Sequence, residues 1–402
     1  MVKQGFGELA GAKEALKIAM SICRPLPGES CRVEDCLGRV LSSDVKAGID
    51  VPHFNKSAMD GYAVVASDIF GASNTDPISL KLVEKIDAGK VPKKALTKGL
   101  CSEIATGAPM PVGADAVVMV EYTEADKGIV KVYKSIAPGQ NVNKVGSDIR
   151  KGSVVLNKGI LIKPRHSGVM TALGLQEIKV KTRIKVAIIS TGDEIIEPGE
   201  KLEPGRIYDI NSRTIIDAVK EYGAIPVFLG IARDDKADYK EKILKGVGEA
   251  DIILLSGSSS LGAEDIMTDV LADIGKIHVH GIAVKPGKPT VIAEVKDKLV
   301  IGLPGYPTSA LSNFYIIVRP VFDSMLGVKR KGGFVHVKLS RKVASTIGRH
   351  EFLAVKLDKG LAVPVQRGSS AITTLSEADG FIEIPNNVEV LEKGEQVEVR
   401  LF

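Results

Sequence analysis

Residues 184–190 read IKVAIIS, and five further apolar runs follow: IPVFLG (225–230), DIILLSG (251–257), IHVHGIAV (277–284), PTVIAEV (289–295) and LVIGLPG (299–305). Between them lie amphipathic stretches with apolar residues three and four apart: NSRTIIDAVKEYG (211–223), KADYKEKILKGVGE (236–249), DIMTDVLADIG (265–275) and SALSNFYIIVRPVF (309–322). Strands that are apolar at almost every position need cover on both faces, and intervening helices supply it. The pattern predicts a parallel sheet sandwiched between helices.

Outside this block the texture changes. Residues 8–22 carry helical periodicity. From about 51 to 139, short β-like runs such as DGYAVVA, ISLKLVEKI and ADAVVMVEY are cut by Gly and Pro, which predicts a small β-rich domain. A turn-rich stretch at 138–160 precedes the α/β block, and 331–402 returns to short strands, expected to form a small β-barrel or sandwich. These shifts place divisions near residues 51, 139, 184 and 331.

At 402 residues the chain exceeds one ordinary domain. A net charge of +5 spread through alternating signs, few aromatics and no Trp give no nucleic-acid stripe or base-stacking surface. No apolar run approaches the ~20 residues that span a bilayer, and the charged N-terminus is no signal peptide. The four cysteines at 23, 31, 36 and 101 lack metal-site spacing and read as free thiols of a cytoplasmic protein.

In an open α/β sheet a ligand sits outside the carboxyl ends of the strands. The residues there are Ser190, Thr191, Gly192, Asp193 and Glu194; Arg233, Asp234 and Asp235; and Ser256, Gly257, Ser258, Gly262 and Asp265 in SGSSSLGAED. Lys285, Gly287 and Lys288 in KPGKP follow, then Pro304, Gly305 and Ser309 in PGYPTS. Small residues let backbone N–H groups close on an anion, and a following helix adds its dipole. The two lysines neutralise phosphate charge, and Asp193, Glu194, Asp234 and Asp265 are hard oxygen ligands for Mg²⁺. Each loop alone reads as a helix cap or turn. Five together predict a phosphate-bearing ligand held with a divalent cation.

Other motifs carry less. Gly281-IAVKP-Gly287-Lys288 has five intervening residues and Pro289 where a P-loop needs four and Ser/Thr. His278 and His280 lack a third ligand and read as a core or barrel-facing pair. A second polar concentration surrounds Asp60 in PHFNKSAMDGY, with Thr106 in TGAP and Asp148 in GSDI. Taken alone, the Asp60 segment is a tight turn.

PHFNKSAMDGYAV, IATGAPMPVGADAVVMVE, GSDIRKGSVVLNKG, IISTGDEI, RIYDINS, LSGSSSLGAED, VKPGKPT, GLPGYPTSA and GSSAITTLSEADGFIEIP resemble, in order, the motifs of the MoeA family, the molybdopterin molybdenumtransferases related to the gephyrin E domain. The likeness runs over nearly the whole chain. The 184–328 segment by itself also resembles the domain shared with molybdopterin adenylyltransferases and CinA-like proteins. The DGYAV and ATGAP motifs select MoeA.

The resemblance implies a multidomain α/β protein. It would contain a molybdopterin-binding α/β domain (181–328), an elongated N-terminal region (1–50 with 140–180), a small β-rich domain (51–139) and a C-terminal β-barrel (329–402). It implies molybdenum cofactor biosynthesis: adenylylated molybdopterin is cleaved at its phosphoanhydride, molybdate or tungstate is inserted, and AMP leaves, with Mg²⁺ or a similar cation. It also implies a homodimer with a shared cleft, with molybdopterin adenylyltransferase and apo-molybdoenzymes as further partners. Asp60, Asp148, Glu194, Asp234 and Asp265 would be catalytic, with Glu194, Asp234 and Asp265 toward the metal. Thr106, the loop residues above, Arg349 and Ser369 would bind substrate. The alternative is a non-catalytic molybdopterin-binding or scaffold protein on the same fold. Three departures from the family pattern stand out: Ser258-Ser259-Ser260 in the Ser/Gly loop, Tyr306 in place of Asn, and Ala354 in place of a second Arg after Arg349. They open the choice between molybdate and tungstate.

Overall fold

The computed structural model describes residues 9–257, 261–328, 330, 333–365 and 370–402. At its centre are β1 (Lys185–Thr191), α1 (Ile210–Glu221), β2 (Ile225–Ala232), α2 (Lys236–Glu249), β3 (Ile252–Ser256), α3 (Leu261–Ile274), β4 (Lys276–His280), β5 (Val291–Val295), β6 (Lys298–Leu303) and α4 (Pro307–Asn313). The sheet order is β2-β1-β3-β6-β5-β4.

Alternation along each strand explains the two-sided cover. Val186, Ile188, Ile252, Leu254, Leu299 and Ile301 enter one buried cluster with Phe314 and Phe322. Ala187, Ile189, Ile253, Leu255 and Val300 enter the other, with Tyr239 and Ile243 of α2 and Leu271 of α3. Successive side chains point to opposite faces, so both registers must be apolar. The edge strand β2 tolerates Pro226 because only β1 pairs with it.

One expectation fails in part. β2, β1, β3 and β6 run parallel, but β5 runs antiparallel to both its neighbours. The cause is local: β5 and β6 are joined by Lys296 and Asp297, at φ 47° and 60°. Two residues with positive φ make a hairpin turn, far too short for the crossover that parallel strands need. The strand β4 still points the same way as β6, so the KPGKP segment emerges at the edge where the parallel strands end. The two histidines are not a core pair either. On the outer strand β4, His278 Nε2 lies 3.0 Å from Glu294 Oε2, while His280 is exposed.

After α4, a π-helical turn at Phe314–Val318 leads into the helix Arg319–Leu326. Pro320, lacking an N–H, accounts for the broken ladder there. The helix Ala12–Ile22 docks Ala15 and Ala19 into the first α/β cluster. Strand Gly28–Arg32 pairs with Glu177–Lys181, and Val45–Lys46 with Val154–Leu156, tying the N-terminal region together around Leu41, Ile162 and Met170. Residues 61–132 contain a six-stranded mixed sheet. The strands His350–Asp358, Leu361–Pro364, Phe334–Leu339, Gln396–Leu401 and Gly380–Ile384 close back on the first to form a barrel, which leaves no free edge. Val284–Lys285 adds to that barrel in parallel with His350–Glu351, joining it to the α/β domain. Among the described residues no helix is long and apolar enough to cross a membrane.

Candidate functional site

Three polar zones line the carboxyl edge of the sheet. The first is a row of buried hydroxyls. Ser190, Thr191 and Ser256 are buried at the ends of β1 and β3, and Thr191 Oγ1 donates to Ser256 O at 3.2 Å. Gly257, at φ 129°, lets the chain turn here, since a Cβ would collide with the Thr191 carbonyl.

The second zone is acidic. Asp193 Oδ1 accepts the Asp234 N–H at 3.2 Å. Its carbonyl is held by Arg233 Nη1 at 3.3 Å and by Arg206. Beneath lies Tyr239, fully buried on α2. Burial first, and then the charges of Asp234 and Glu194 against a moderating Thr191 hydroxyl, push its phenol far up in pKa. Asp234 and Glu194 therefore share one neighbourhood.

The third zone is cationic. Lys285, Gly287, Lys288, Pro304, Tyr306 and Ser309 line a cleft of about 490 Å³ against the barrel residues Glu351 and Ala354. Lys285 Nζ is already 3.2 Å from Glu351 Oε2, a carboxylate only 4% exposed that also accepts from Ser345 Oγ at 2.9 Å. Asn313 fastens the loop from below, donating to Gly287 O at 2.9 Å and Thr290 Oγ1 at 2.6 Å. Asn211 Nδ2 holds Gly305 O at 2.8 Å.

This edge also collects unfilled bonding capacity. Ser190 Oγ, Ser256 Oγ, Asp209 Oδ2, Asn211 Oδ1, Asp234 Oδ1 and Asn313 Oδ1 are buried without a protein partner. Each such group costs about 1–3 kcal/mol unless water or ligand satisfies it. Their concentration at the ends of parallel strands is a ligand-site signature.

Among the described residues no three carboxylate, His or Cys side chains converge as a ready metal cage. Asp265 is exposed in the first turns of α3. Separate carboxylates suit a Mg²⁺ that takes one or two protein oxygens and completes its shell with substrate oxygens and water. Ser258 and Ser369 lie outside the described residues, and Gly262 falls within α3. Arg349 sits at the start of the barrel strand beside the Lys285–Glu351 pair.

The Asp60 corner lies in the small β domain. Asp60 Oδ1 accepts from Thr106 N at 2.7 Å and Thr106 Oγ1 at 3.0 Å, which lowers its pKa. Gly61 follows because a Cβ there would strike the Val118 carbonyl. Asp148 is exposed, its N–H bonded to Val51 O at 3.1 Å.

Three family models cover the chain in sequence: the MoeA N-terminal region (domain I and II) at 11–174, a probable molybdopterin binding domain at 187–324, and the MoeA C-terminal region (domain IV) at 336–402. The chain belongs to the MoeA family. It is 38% identical to a putative molybdopterin biosynthesis protein of Methanocaldococcus jannaschii, over 92% of this chain and 91% of that one. It is 33% identical to molybdopterin molybdenumtransferase 2 of Mycobacterium tuberculosis, over 94% and 96%. A crystal structure of a molybdopterin biosynthesis MoeA protein from Pyrococcus horikoshii superposes with a TM-score of 0.87 at 43% identity, covering 98% of this chain and 99% of that chain.

Within this MoeA-family site, four residues escaped the sequence reading: Asn211, Tyr239, Asn313 and Glu351. Asn211 stands in the quoted RIYDINS motif, and Asn313 interrupts an apolar run, so both left a signal. Tyr239 and Glu351 left none, because a Tyr on an amphipathic helix and a Glu in a strand are ordinary.

Proposed function

We propose that the chain is a molybdopterin molybdenumtransferase acting in molybdenum cofactor biosynthesis. It takes adenylylated molybdopterin, and the observation that carries this reading is the row of unpartnered buried polar atoms beside a two-lysine cleft. Hydroxyls and backbone amides around Ser190, Thr191, Ser256 and Gly257 receive the pterin and phosphate oxygens. Lys288, with Lys285 sharing its charge with Glu351, balances the phosphoanhydride.

Cleavage needs a positioned water. Its oxygen bonds to phosphorus, the bridging P–O bond breaks, AMP leaves, and the proton passes to a nearby carboxylate, for which Asp234 is best placed. Insertion balances when two dithiolene sulfurs bind the metal while their protons and one oxo oxygen leave as water. Mg²⁺, held by one or two oxygens from among Glu194, Asp234 and Asp265 together with substrate oxygens, would supply charge neutralisation.

The exposed, ordered Asp60–Thr106 pair and Asp148 complete the cleft from a second subunit of a homodimer. Tyr306 and Ala354, two of the departures from the family pattern, both line the cationic cleft and are the expected determinants of molybdate against tungstate. The test is AMP release from adenylylated molybdopterin with Mg²⁺ and molybdate, tungstate or no oxyanion. Oxyanion-stimulated release with metal in the product is expected. Tight binding without release under every condition would overturn the enzyme reading in favour of a carrier.

A further inference from the structure

A second cavity, of about 710 Å³, opens where three parts of the chain meet. Its walls come from residues 158–166 of the N-terminal region, from Tyr222 and Arg319 of the α/β domain, and from the barrel at 333 and 401–402. Tyr222 follows α1 and precedes β2, so the cavity lies at the amino ends of the strands. Strands of this length put it roughly 20 Å from the substrate edge. The volume falls within the range of small-molecule sites.

Its charge is one-sided. Lys158, Lys163, Arg165, Arg319 and Arg330 line it, and among the described lining residues there is no Asp or Glu. Arg330 is committed: its Nε lies 2.8 Å from Asp323 Oδ1 and its Nη2 donates to Tyr222 O at 3.2 Å. Among the described residues, no carboxylate comes within ion-pair distance of the other four cations. Arg319 and Arg330 sit 5.3 and 4.9 Å from the Tyr222 ring centroid, which fixes their direction. The acids acting on this wall are Asp323, half-buried and paired with Arg330, and Glu221. The balance of charge on the wall is positive. The positive field registers on His166, whose pKa is lowered by burial first and then by Arg165 and Lys163. The helix Pro164–Ala172 begins here and adds the positive end of its dipole. Like charges gathered this closely repel one another until an anion joins them.

We propose that this cavity binds a small polyanion of the polyphosphate class, with Lys163, Arg165 and Arg319 on its charged groups, at a site separate from the substrate edge. Because its walls belong to three parts of the chain, an occupant clamps the N-terminal region to the α/β domain and barrel. Occupancy therefore raises the thermal midpoint.

The test is calorimetric titration of the full chain with inorganic tripolyphosphate and with ATP in 0.15 M KCl, with sulfate as the simple-anion control. The variants are Lys163→Gln/Arg165→Gln, Arg319→Gln and, at the substrate edge, Lys288→Gln. The expected result is binding that sulfate does not match, weakened at least tenfold in Lys163→Gln/Arg165→Gln and in Arg319→Gln, and retained in Lys288→Gln. The ligand-induced rise in thermal midpoint disappears with it. ATP binding more tightly than tripolyphosphate would assign a nucleotide, with its base against Phe402. Equal affinity would assign free polyphosphate. Binding lost only in Lys288→Gln, or no binding beyond that of sulfate, overturns the proposal. The Gln variants replace exposed side chains or one resting on a ring face, so matching melts without ligand separate lost binding from lost folding.

Discussion

The sheet edge between residues 190 and 309 and the corner around Asp60 are both polar, but their bonds are arranged in opposite ways. At the sheet edge, Ser190, Ser256 and Asn211 are buried, and Oδ1 of half-buried Asp234 with them, all with bonding capacity unused. At the corner, Asp60 is exposed and its carboxylate is already held by both donors of Thr106. A buried, unsatisfied set is costly by itself and becomes favourable when something enters it. An exposed, satisfied set is stable by itself and ready to be presented to something outside its own domain. Each half lacks what the other offers, which is the physical argument for a cleft shared between subunits.

The largest expected effect breaks the first half. Asp234→Asn keeps the shape and removes the charge of a half-buried carboxylate, so turnover should fall by about 10²–10⁴-fold, the usual worth of a positioned acid–base group. Stability should hold or rise, because a neutral amide is easier to bury than a carboxylate. AMP release and thermal melts on the same preparation check both. Loss of activity together with a collapsed melt would instead make Asp234 a structural residue.

The comparison itself is tested by mixing subunits. Asp60→Ala and Asp265→Ala homodimers should each be inactive. Random mixing gives half heterodimers, and a cleft built across a twofold axis leaves one intact site in each, so about a quarter of wild-type activity returns. If Asp60 and Asp265 served the same subunit's site, both sites of every heterodimer would carry one defect and no activity would return. The control is a mixture of wild type with the Asp60→Ala/Asp265→Ala double variant: a shared cleft leaves only the wild-type homodimers active, about a quarter of full activity, whereas sites built within one subunit would give about half.

Much of the sheet edge was legible because its logic is one-dimensional. Apolar runs give the strands, and the residues after each run give the loops, so Ser190, Asp234, Ser256 and Lys285 could be read off in order. The direction of β5 was hidden because its turn uses Lys296 and Asp297 at positive φ in place of the Gly or Asn that announces a hairpin. The supports were hidden for another reason. Glu351 matters because the barrel strand carries it under Lys285, and Tyr239 because α2 packs it below Thr191. Both are facts of tertiary contact with no local pattern. The amphipathic face of Ala12–Ile22 was visible, but its docking surface on the α/β core was not.

A smaller effect sharpens the sheet edge as a rigid half. Gly257→Ala places a Cβ against the Thr191 carbonyl at φ 129°. Strain of this kind costs about 1–3 kcal/mol. At roughly 2–4 °C per kcal/mol for a domain of this size, the melt should shift down by several degrees. An unchanged midpoint would mean that the backbone at Thr191 and Gly257 yields freely to the added Cβ.

The smallest effect sharpens the corner. Thr106 holds Asp60 below its ordinary value of 3.8, through its N–H first and its hydroxyl second. A depressed folded value means that this contribution to stability is present above 3.8 and is lost as pH falls through the lower folded value. Thr106→Val removes the 3.0 Å bond from Oγ1 and leaves the 2.7 Å bond from N, so the pKa should climb only part of the way back. Carbon-detected NMR titration of the Asp60 carboxyl reads this directly. At neutral pH the group is ionised in both forms, so any drop in turnover for Thr106→Val reports the carboxylate's aim and not its charge. A pKa that does not move would show that the backbone N–H alone orders Asp60, and the threonine would then be expected to face the substrate.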